Sequence, residues 1–306
     1  MAIRIAGIGT SLPDKIVTND DLAQHMDTSD SWIRDRSGIG ERRVGGITST
    51  MAIEAGRGAL EAAGASPDEI GLVVLCTTTP DQTFPATSAL VCEALELTCG
   101  AFDLNAVCAG FPYGYVTAYG IMCAPGGPEK VLLIGSDAMS SIVDWTDRGT
   151  AILFGDGAGA VVMERHEEGE LLAFDLGVNG ALKSILYCDS GDTIKMEGRE
   201  VFKRAVRAVT TSVENALASA GLTPDDVDVV IPHQANIRII AAMCQRIKIP
   251  IEKTFNVLEF TGNTSGASIP LAMAKAQELG ALEPGKIVIM TGFGAGMAWG
   301  TAVVRW

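Results

Sequence analysis

Residues 59–75, ALEAAGASPDEIGLVVL, align without a gap with residues 216–232, ALASAGLTPDDVDVVIP, and seven of the seventeen positions are identical. Each stretch reads as a helix stopped by a glycine (Gly64 or Gly221), then a Pro-Asp turn, then a continuous apolar strand. Two further echoes follow in the same order: PEKVLLIG (128–135) with PGKIVIMTG (284–292), and GAVVMER (159–165) with GTAVVRW (300–306). Three matches in one order restrict the chain to a duplicated α/β unit, with an N-terminal half over 1–170 and a C-terminal half over 171–306. The runs VVL, VLLIG, VVIP and IVIM are apolar throughout, as expected of strands covered by helices on both faces. In such sheets ligands gather at the carboxyl ends of the strands. Cys76 and His233 occupy equivalent places there, at the ends of matching strands.

Composition narrows the function. A hydrophobic fraction of 47 % beside 20 % charged residues describes a well-packed globular protein. The net charge of −14 argues against non-specific binding to nucleic acid or to an anionic membrane. No apolar run approaches the roughly 18 residues that span a bilayer. The segment MAIRIAGIGTSLPDK has too few apolar residues for a signal peptide, so a cytoplasmic location is expected. Seven cysteines without C-x-x-C spacing, and only three histidines, give no zinc pattern and point to free thiols. Neither a metal nor a tightly bound cofactor is expected.

Three segments can carry chemistry. His25 and His166 lie in polar, charged stretches and read as solvated, whereas His233, in VVIPHQANIRII, leaves a buried strand for an amphipathic helix. Cys108 follows FDLNA and precedes an apolar run over 109–122. If that run is a helix, the thiol sits in its first turn, where free N–H groups and the dipole favour a thiolate. Val107, Ala109 and Gly110 leave room for a long substrate, and Pro112 suits a first turn. Asn263 lies in FTGNTSGASIP, just before another helical stretch. The glycine-rich TGFGAGMAWG lacks the lysine and spacing of a phosphate-binding loop, but its backbone could offer an N–H to an oxyanion.

With Cys108, His233 and Asn263 in that order, the chain resembles the β-ketoacyl-acyl-carrier-protein synthase III family, of the thiolase-like fold. The resemblance runs from GTSLPDKIVTNDDLA to WGTAVVRW and is carried by DTSDSWIRDRSGIGERR, CAGF, TDRGTAILFGDGAGA, PHQANIRII, GNTSGASIP and GFGAGMAWG. It implies two duplicated halves in α-β-α-β-α layers and a decarboxylative condensation. An acyl-CoA primer would load Cys108 as a thioester and then condense with malonyl-acyl-carrier protein. His233 and Asn263 would hold the thioester oxygen of the malonyl group, and the N–H groups of Cys108 and Ala295 would form the oxyanion hole. A thiolase needs a second, C-terminal cysteine, and none follows Cys244.

By the same resemblance Trp32 and Arg148 would sandwich the CoA adenine, with Thr28 beside them, and Asn236 would line the pantetheine tunnel. Arg199 stands where many members have asparagine and would reach a CoA phosphate. Phe84 would cross a homodimer interface to close the neighbour's acyl pocket, which Met139 and Phe154 would also line. Lys203, Arg204, Arg207, Arg238, Arg246 and Lys248 would form a cationic docking patch for the acidic carrier protein on an acidic body. Three rivals are a same-fold acyltransferase with an alcohol or amine acceptor, a papain-like hydrolase and a non-catalytic partner. Asn263, the missing glutamine-before-cysteine signature and Cys108 itself speak against them in turn.

Overall fold

The computed structural model describes residues 2–306. Its principal elements, in chain order, are β1 (Ala2–Ser11), α1 (Asp30–Ser37), α2 (Thr48–Ala63), β2 (Ile70–Cys76), α3 (Thr87–Ala94), β3 (Gly100–Leu104), α4 (Gly110–Cys123), β4 (Lys130–Ala138) and β5 (Asp156–His166). They continue with β6 (Glu170–Val178), α5 (Gly198–Ala220), β7 (Val229–Pro232), α6 (Ile237–Ile247), α7 (Ser268–Glu278), β8 (Ile287–Gly294) and β9 (Ala298–Arg305).

The strands form two mixed sheets with the same wiring. The first has the order β1-β5-β4-β2-β3 and the second β6-β9-β8-β7. In each, the first strand pairs antiparallel with the last, and the strand after the Pro-Asp turn (β2 or β7) runs parallel to the one after the later glycine (β4 or β8). The second sheet has no partner for β3; a single bridge from Val230 to Thr254 stands in that place.

The repeated sequence makes repeated local structure. Both α2 and α5 stop at a glycine in the left-handed region, Gly64 at φ 61° and Gly221 at φ 68°. Each then makes one turn closed by a capping box, with the Ser66 N–H donating to Glu69 and the Thr223 N–H to Asp226.

One core joins the inner faces. Phe111, Tyr115 and Met122 of α4 and Ile269, Met273 and Ala276 of α7 pack between Val74 and Leu133 of the first sheet and Ile231 and Met290 of the second. Outside the first sheet, Ala55 and Leu60 of α2 and Val91 of α3 cover Val73 and Leu132. Outside the second, Val209 and Val213 of α5 and Ile240 and Met243 of α6 cover Val230 and Ile289. The layers are therefore α-β-α-β-α, and the starts of α4 and α7 meet between the sheets. Among the described residues no helix is long and apolar enough to cross a membrane.

Candidate active site

Each central helix begins with the same device. Val107–Ala109 form a single 3-10 turn before α4, and Ser265–Ala267 form one before α7. Val107 has φ 51° and Ser265 φ 50°, the left-handed region that side chains rarely occupy. An asparagine two residues upstream holds each turn: the Val107 N–H donates to Asn105 Oδ1 at 3.1 Å, and the Ser265 N–H to Asn263 Oδ1 at 2.9 Å.

Cys108 thus lies in the turn that leads into α4, one step before the first α-helical turn that the sequence suggested. A side chain at Gly294 would stand 2.7 Å from the Cys108 nitrogen, so the glycine lets the loop after β8 approach it. Ala295 follows directly, partly exposed. The thiol is not held as an anion: burial pushes it up to about 12, only partly offset by a hydrogen bond from Sγ to Ser265 Oγ at 3.5 Å. Desolvation acts here against the thiolate that the start of the helix was expected to favour.

His233 follows β7 directly, its N–H donating to the Thr291 carbonyl at 2.7 Å. Its Nδ1 lies 2.7 Å from Ser268 Oγ, and its ring meets Phe293 edge-on at 5.5 Å. Burial pulls its pKa down to about 3, so the imidazole is neutral. Asn263 is strapped to the neighbouring loop by its N–H to the Leu153 carbonyl and by the Gly155 N–H to its own carbonyl. Its Oδ1 is taken by Ser265, which leaves the carboxamide NH₂ as the free group.

Cys108, His233 and Asn263, each about 5 % exposed, line one cavity of about 860 Å³. Phe154 lines it as well, with Met139 packed behind Phe154 and away from the wall. The exposed side chains of Arg36, Arg148 and Arg199, with Trp32, surround its outer part. The arrangement offers a nucleophile, two neutral hydrogen-bond donors and a cationic rim.

A model of the 3-oxoacyl-[acyl-carrier-protein] synthase III family matches residues 102–180, and its C-terminal counterpart matches residues 217–306. β-Ketoacyl-[acyl-carrier-protein] synthase III 1 of Bacillus anthracis is 48 % identical over 311 residues, covering 100 % of this chain and 99 % of that protein. The chain belongs to the β-ketoacyl-[acyl-carrier-protein] synthase III family. Two solved synthase III structures agree along the whole chain. That from Aquifex aeolicus VF5 has a TM-score of 0.97 at 42 % identity, covering 99 % of this chain and 100 % of its own. That from Pseudomonas aeruginosa PAO1 has a TM-score of 0.95 at 40 %, covering 100 % and 98 %.

The positions that the family resemblance singled out lie both around this cavity and beyond it. Arg148 rests on the Trp32 ring, 4.9 Å from its centroid, which leaves no gap for an adenine between them; a base would have to displace it. Arg36, unmarked in the sequence reading, lies closer, at 4.1 Å, four residues along α1 from Trp32. Thr28 does not line the cavity, and among the described residues its buried hydroxyl has no hydrogen-bond partner. Asn236 does line it, but caps α6: its Oδ1 accepts from the Arg238 N–H and its NH₂ donates to the Arg36 carbonyl, both at 2.8 Å. Phe84 is 83 % exposed, outside the cavity.

The basic residues fall on two packed helices. Among the described residues Lys203, Arg207, Arg246 and Lys248 are exposed and form no ion pair, whereas Arg204 pairs with Glu200 at 3.4 Å. The Arg238 guanidinium lies over the Phe202 ring at 5.7 Å, and both side chains border the cavity.

Sequence reading missed Ser265, Ser268, Asp137 and Gln234. The signal for the first two was present: NAVCAGFP (105–112) and NTSGASIP (263–270) share asparagine, alanine and proline at matching places. That fourth echo aligns Asn105 with Asn263 and Cys108 with Gly266. Gln234 is fully buried and accepts from the Val257 N–H at 3.0 Å, fixing the segment that leads to Asn263.

Proposed function

We propose that this chain condenses an acyl-CoA primer with malonyl-acyl-carrier protein, losing CO₂ and giving a 3-oxoacyl-carrier protein, the initiating step of fatty acid synthesis. The observation that carries this reading is the convergence of Cys108, His233 and Asn263 on one cavity with an arginine-rich rim.

In this reading the Cys108 sulfur attacks the acyl-CoA carbonyl, and CoA leaves, giving an acyl-Cys108 thioester. Trp32, Arg36, Arg148 and Arg199 hold the nucleotide end of CoA, and Asn236 orders the wall of the tunnel. Malonyl-carrier protein then enters. The Asn263 NH₂ and the His233 Nε2–H donate to its thioester oxygen, stabilising the enolate as CO₂ departs. The Ser268 hydroxyl donates to Nδ1 and so keeps the proton on Nε2. The enolate carbon attacks the acyl carbonyl, whose oxyanion sits on the N–H groups of Cys108 and Ala295. Collapse frees the thiolate and the ketoacyl product.

Phe154 bounds the acyl end, backed by Met139, and the enzyme works in the cytoplasm as a homodimer. Exposed Phe84 supports the dimer, because an apolar ring that open to water gains by burial against a partner. The cationic faces of α5 and α6 receive the acidic carrier protein. The deciding experiment is the intact mass of the protein after incubation with a panel of acyl-CoAs. One acyl group on wild type and none on Cys108→Ala supports the covalent step. Release of CO₂ and ketoacyl product on adding malonyl-carrier protein supports condensation; acyl-enzyme without CO₂ indicates transfer to another acceptor.

A further inference from the structure

Of the segment DTSDSWIRDRSGIGERR (27–43), only Trp32 and Arg36 have a place in the chemistry proposed so far. Its penultimate residue, Arg42, is 0 % exposed. Arg42 lies on the short strand Glu41–Arg43, which pairs antiparallel with Ile16–Thr18. Its Nη1 donates to the Val17 carbonyl at 3.0 Å, and its Nη2 donates to Asn19 Oδ1 at 2.9 Å and to the Ile152 carbonyl at 2.8 Å. All three acceptors are neutral. Among the described residues the Arg42 Nε has no hydrogen-bond partner. The two carboxylates that act on it from a distance are engaged elsewhere, Glu41 by Arg43 and Asp21 by Thr18. Burial pulls its pKa down to about 10, so it remains a cation at neutral pH.

A buried, unpaired cation is costly, and the packing around it does not call for one. Ile33 of α1 and Ile39 just after it already share an apolar cluster with Ile152 and Leu258. What Arg42 joins is two parts of the cavity. On one side Asn19, itself fully buried, spans both ends of α1: its NH₂ donates to Asp30 Oδ1 at 2.9 Å and to the Ile39 carbonyl at 2.8 Å. The helix so clamped carries Trp32 and Arg36. On the other side the Arg42 stem lies against the strap of Asn263. A Cβ at Gly155 or at Gly262 would each stand 3.1 Å from the Arg42 Cβ. Gly155 donates its N–H to the Asn263 carbonyl at 3.0 Å, and Gly262 precedes Asn263 with φ 63°. Ile152, which accepts from Arg42, itself lines the cavity.

We propose that Arg42 is a positioning residue that keeps the nucleotide-holding rim, Trp32 and Arg36, in register with Asn263. The inference rests on the acyl-CoA reading above. A thioester on a long arm reacts only when the grip on the arm and the groups at its far end keep a fixed separation. A misplacement of about 1 Å can cost about 10²-fold. A guanidinium suits this duty, because its planar fork reaches the three oxygens at once. Arg42 does not line the cavity and acts through Asn19, Ile152 and its contact with Gly155 and Gly262.

Two substitutions separate the two sides. Arg42→Met keeps the apolar stem and removes the fork. The Kd for free CoA, by calorimetry, should rise about tenfold or more, and decarboxylation of malonyl-carrier protein should slow about tenfold or more. Asn19→Asp keeps an acceptor for Arg42 and removes the two donors to α1. It should raise the Kd for CoA to a similar extent and leave decarboxylation within about twofold of wild type. In both variants alkylation of Cys108 by iodoacetamide, followed on its peptide by mass spectrometry, should stay within about twofold, because neither residue touches the thiol. A structural role alone would change alkylation along with the rest, and that result overturns the inference. So does a wild-type value of either quantity in Arg42→Met. If Arg42→Met fails to fold, Arg42→Lys, which reaches fewer of the three oxygens, takes its place with the same outcomes. If wild type binds CoA yet takes no acyl group from any acyl-CoA and releases no CO₂, the condensing reading falls, while the CoA affinities of the variants still decide whether Arg42 holds the rim.

Discussion

Ser268 Oγ and His233 Nδ1 lie 2.7 Å apart, both buried, at the junction of β7 and α7. That contact bears on what His233 offers to a substrate: with the Ser268 hydroxyl as donor to Nδ1, as in the proposed mechanism, the ring proton lies on Nε2. In Ser268→Ala the buried Nδ1 loses its partner, at a cost of about 1–3 kcal/mol in stability. Decarboxylation of malonyl-carrier protein should slow about tenfold as the wrong tautomer becomes populated, while acylation of Cys108 changes by less than about twofold. Separate assays of the two half-reactions check this; equal loss in both would remove the tautomer argument.

Burial of His233 has a signature in pH. Its pKa is about 3 in the folded chain against an ordinary value of 6.5. Between those values the unfolded chain binds a proton that the folded one does not, so stability rises with pH across that window and is fully present above it. On acidification the group costs about 1.4 kcal/mol per pH unit. Asp137 and Asp156, whose carboxyls burial raises, act in the opposite direction. Comparing wild type with His233→Ala by urea unfolding isolates the histidine: wild type should lose about 2 kcal/mol more between about pH 6.5 and about pH 5. The malonyl decarboxylation rate should pass through the same range without a titration step.

The repeats made the layered architecture legible because sequence kept what the backbone needs: Gly64 and Gly221 stop helices, and Pro67 and Pro224 open matched turns. His233 was legible because it ends a repeated strand, and Cys108 and Asn263 because each stands among small residues just before a helical stretch. Asp137 was not, since its bonds run to loops far away in the chain, and the short echo that holds Ser265 and Ser268 does not show what their hydroxyls touch. The burial of Cys108 was hidden for a related reason: a helix start is visible in sequence, but the burial that opposes ionisation depends on both sheets closing over it. Arg148 was paired with Trp32 by the resemblance, but Arg36 was unmarked until α1 placed its guanidinium over the same ring.

Asn263 uses its oxygen for the Ser265 N–H and keeps its NH₂ free, so the two halves of the carboxamide have separate duties. Asn263→Asp retains an acceptor for the turn and removes the donor. The variant should fold, acylate Cys108 at close to the wild-type rate and lose about 10²–10³ in decarboxylation, the usual cost of one oxyanion donor. Retention of full CO₂ release in Asn263→Asp would show that the carboxamide only shapes the turn.

The last prediction concerns the cationic faces of α5 and α6. Arg238 borders the cavity over Phe202, while Lys203, Arg207, Arg246 and Lys248 form no ion pair among the described residues. On a chain of net charge −14, a local basic patch selects an acidic partner by orientation, since the rest of the surface repels it. Arg238→Glu reverses one charge at the cavity edge. It should raise KM for malonyl-carrier protein by about tenfold or more at low salt, with the difference shrinking as ionic strength shortens the reach of the field. KM for acyl-CoA in the acylation half-reaction should stay within about threefold of wild type, because that substrate is held by Trp32, Arg36, Arg148 and Arg199 in the proposed mode. A parallel loss toward both substrates would mean that Arg238 shapes the cavity and does not dock the carrier.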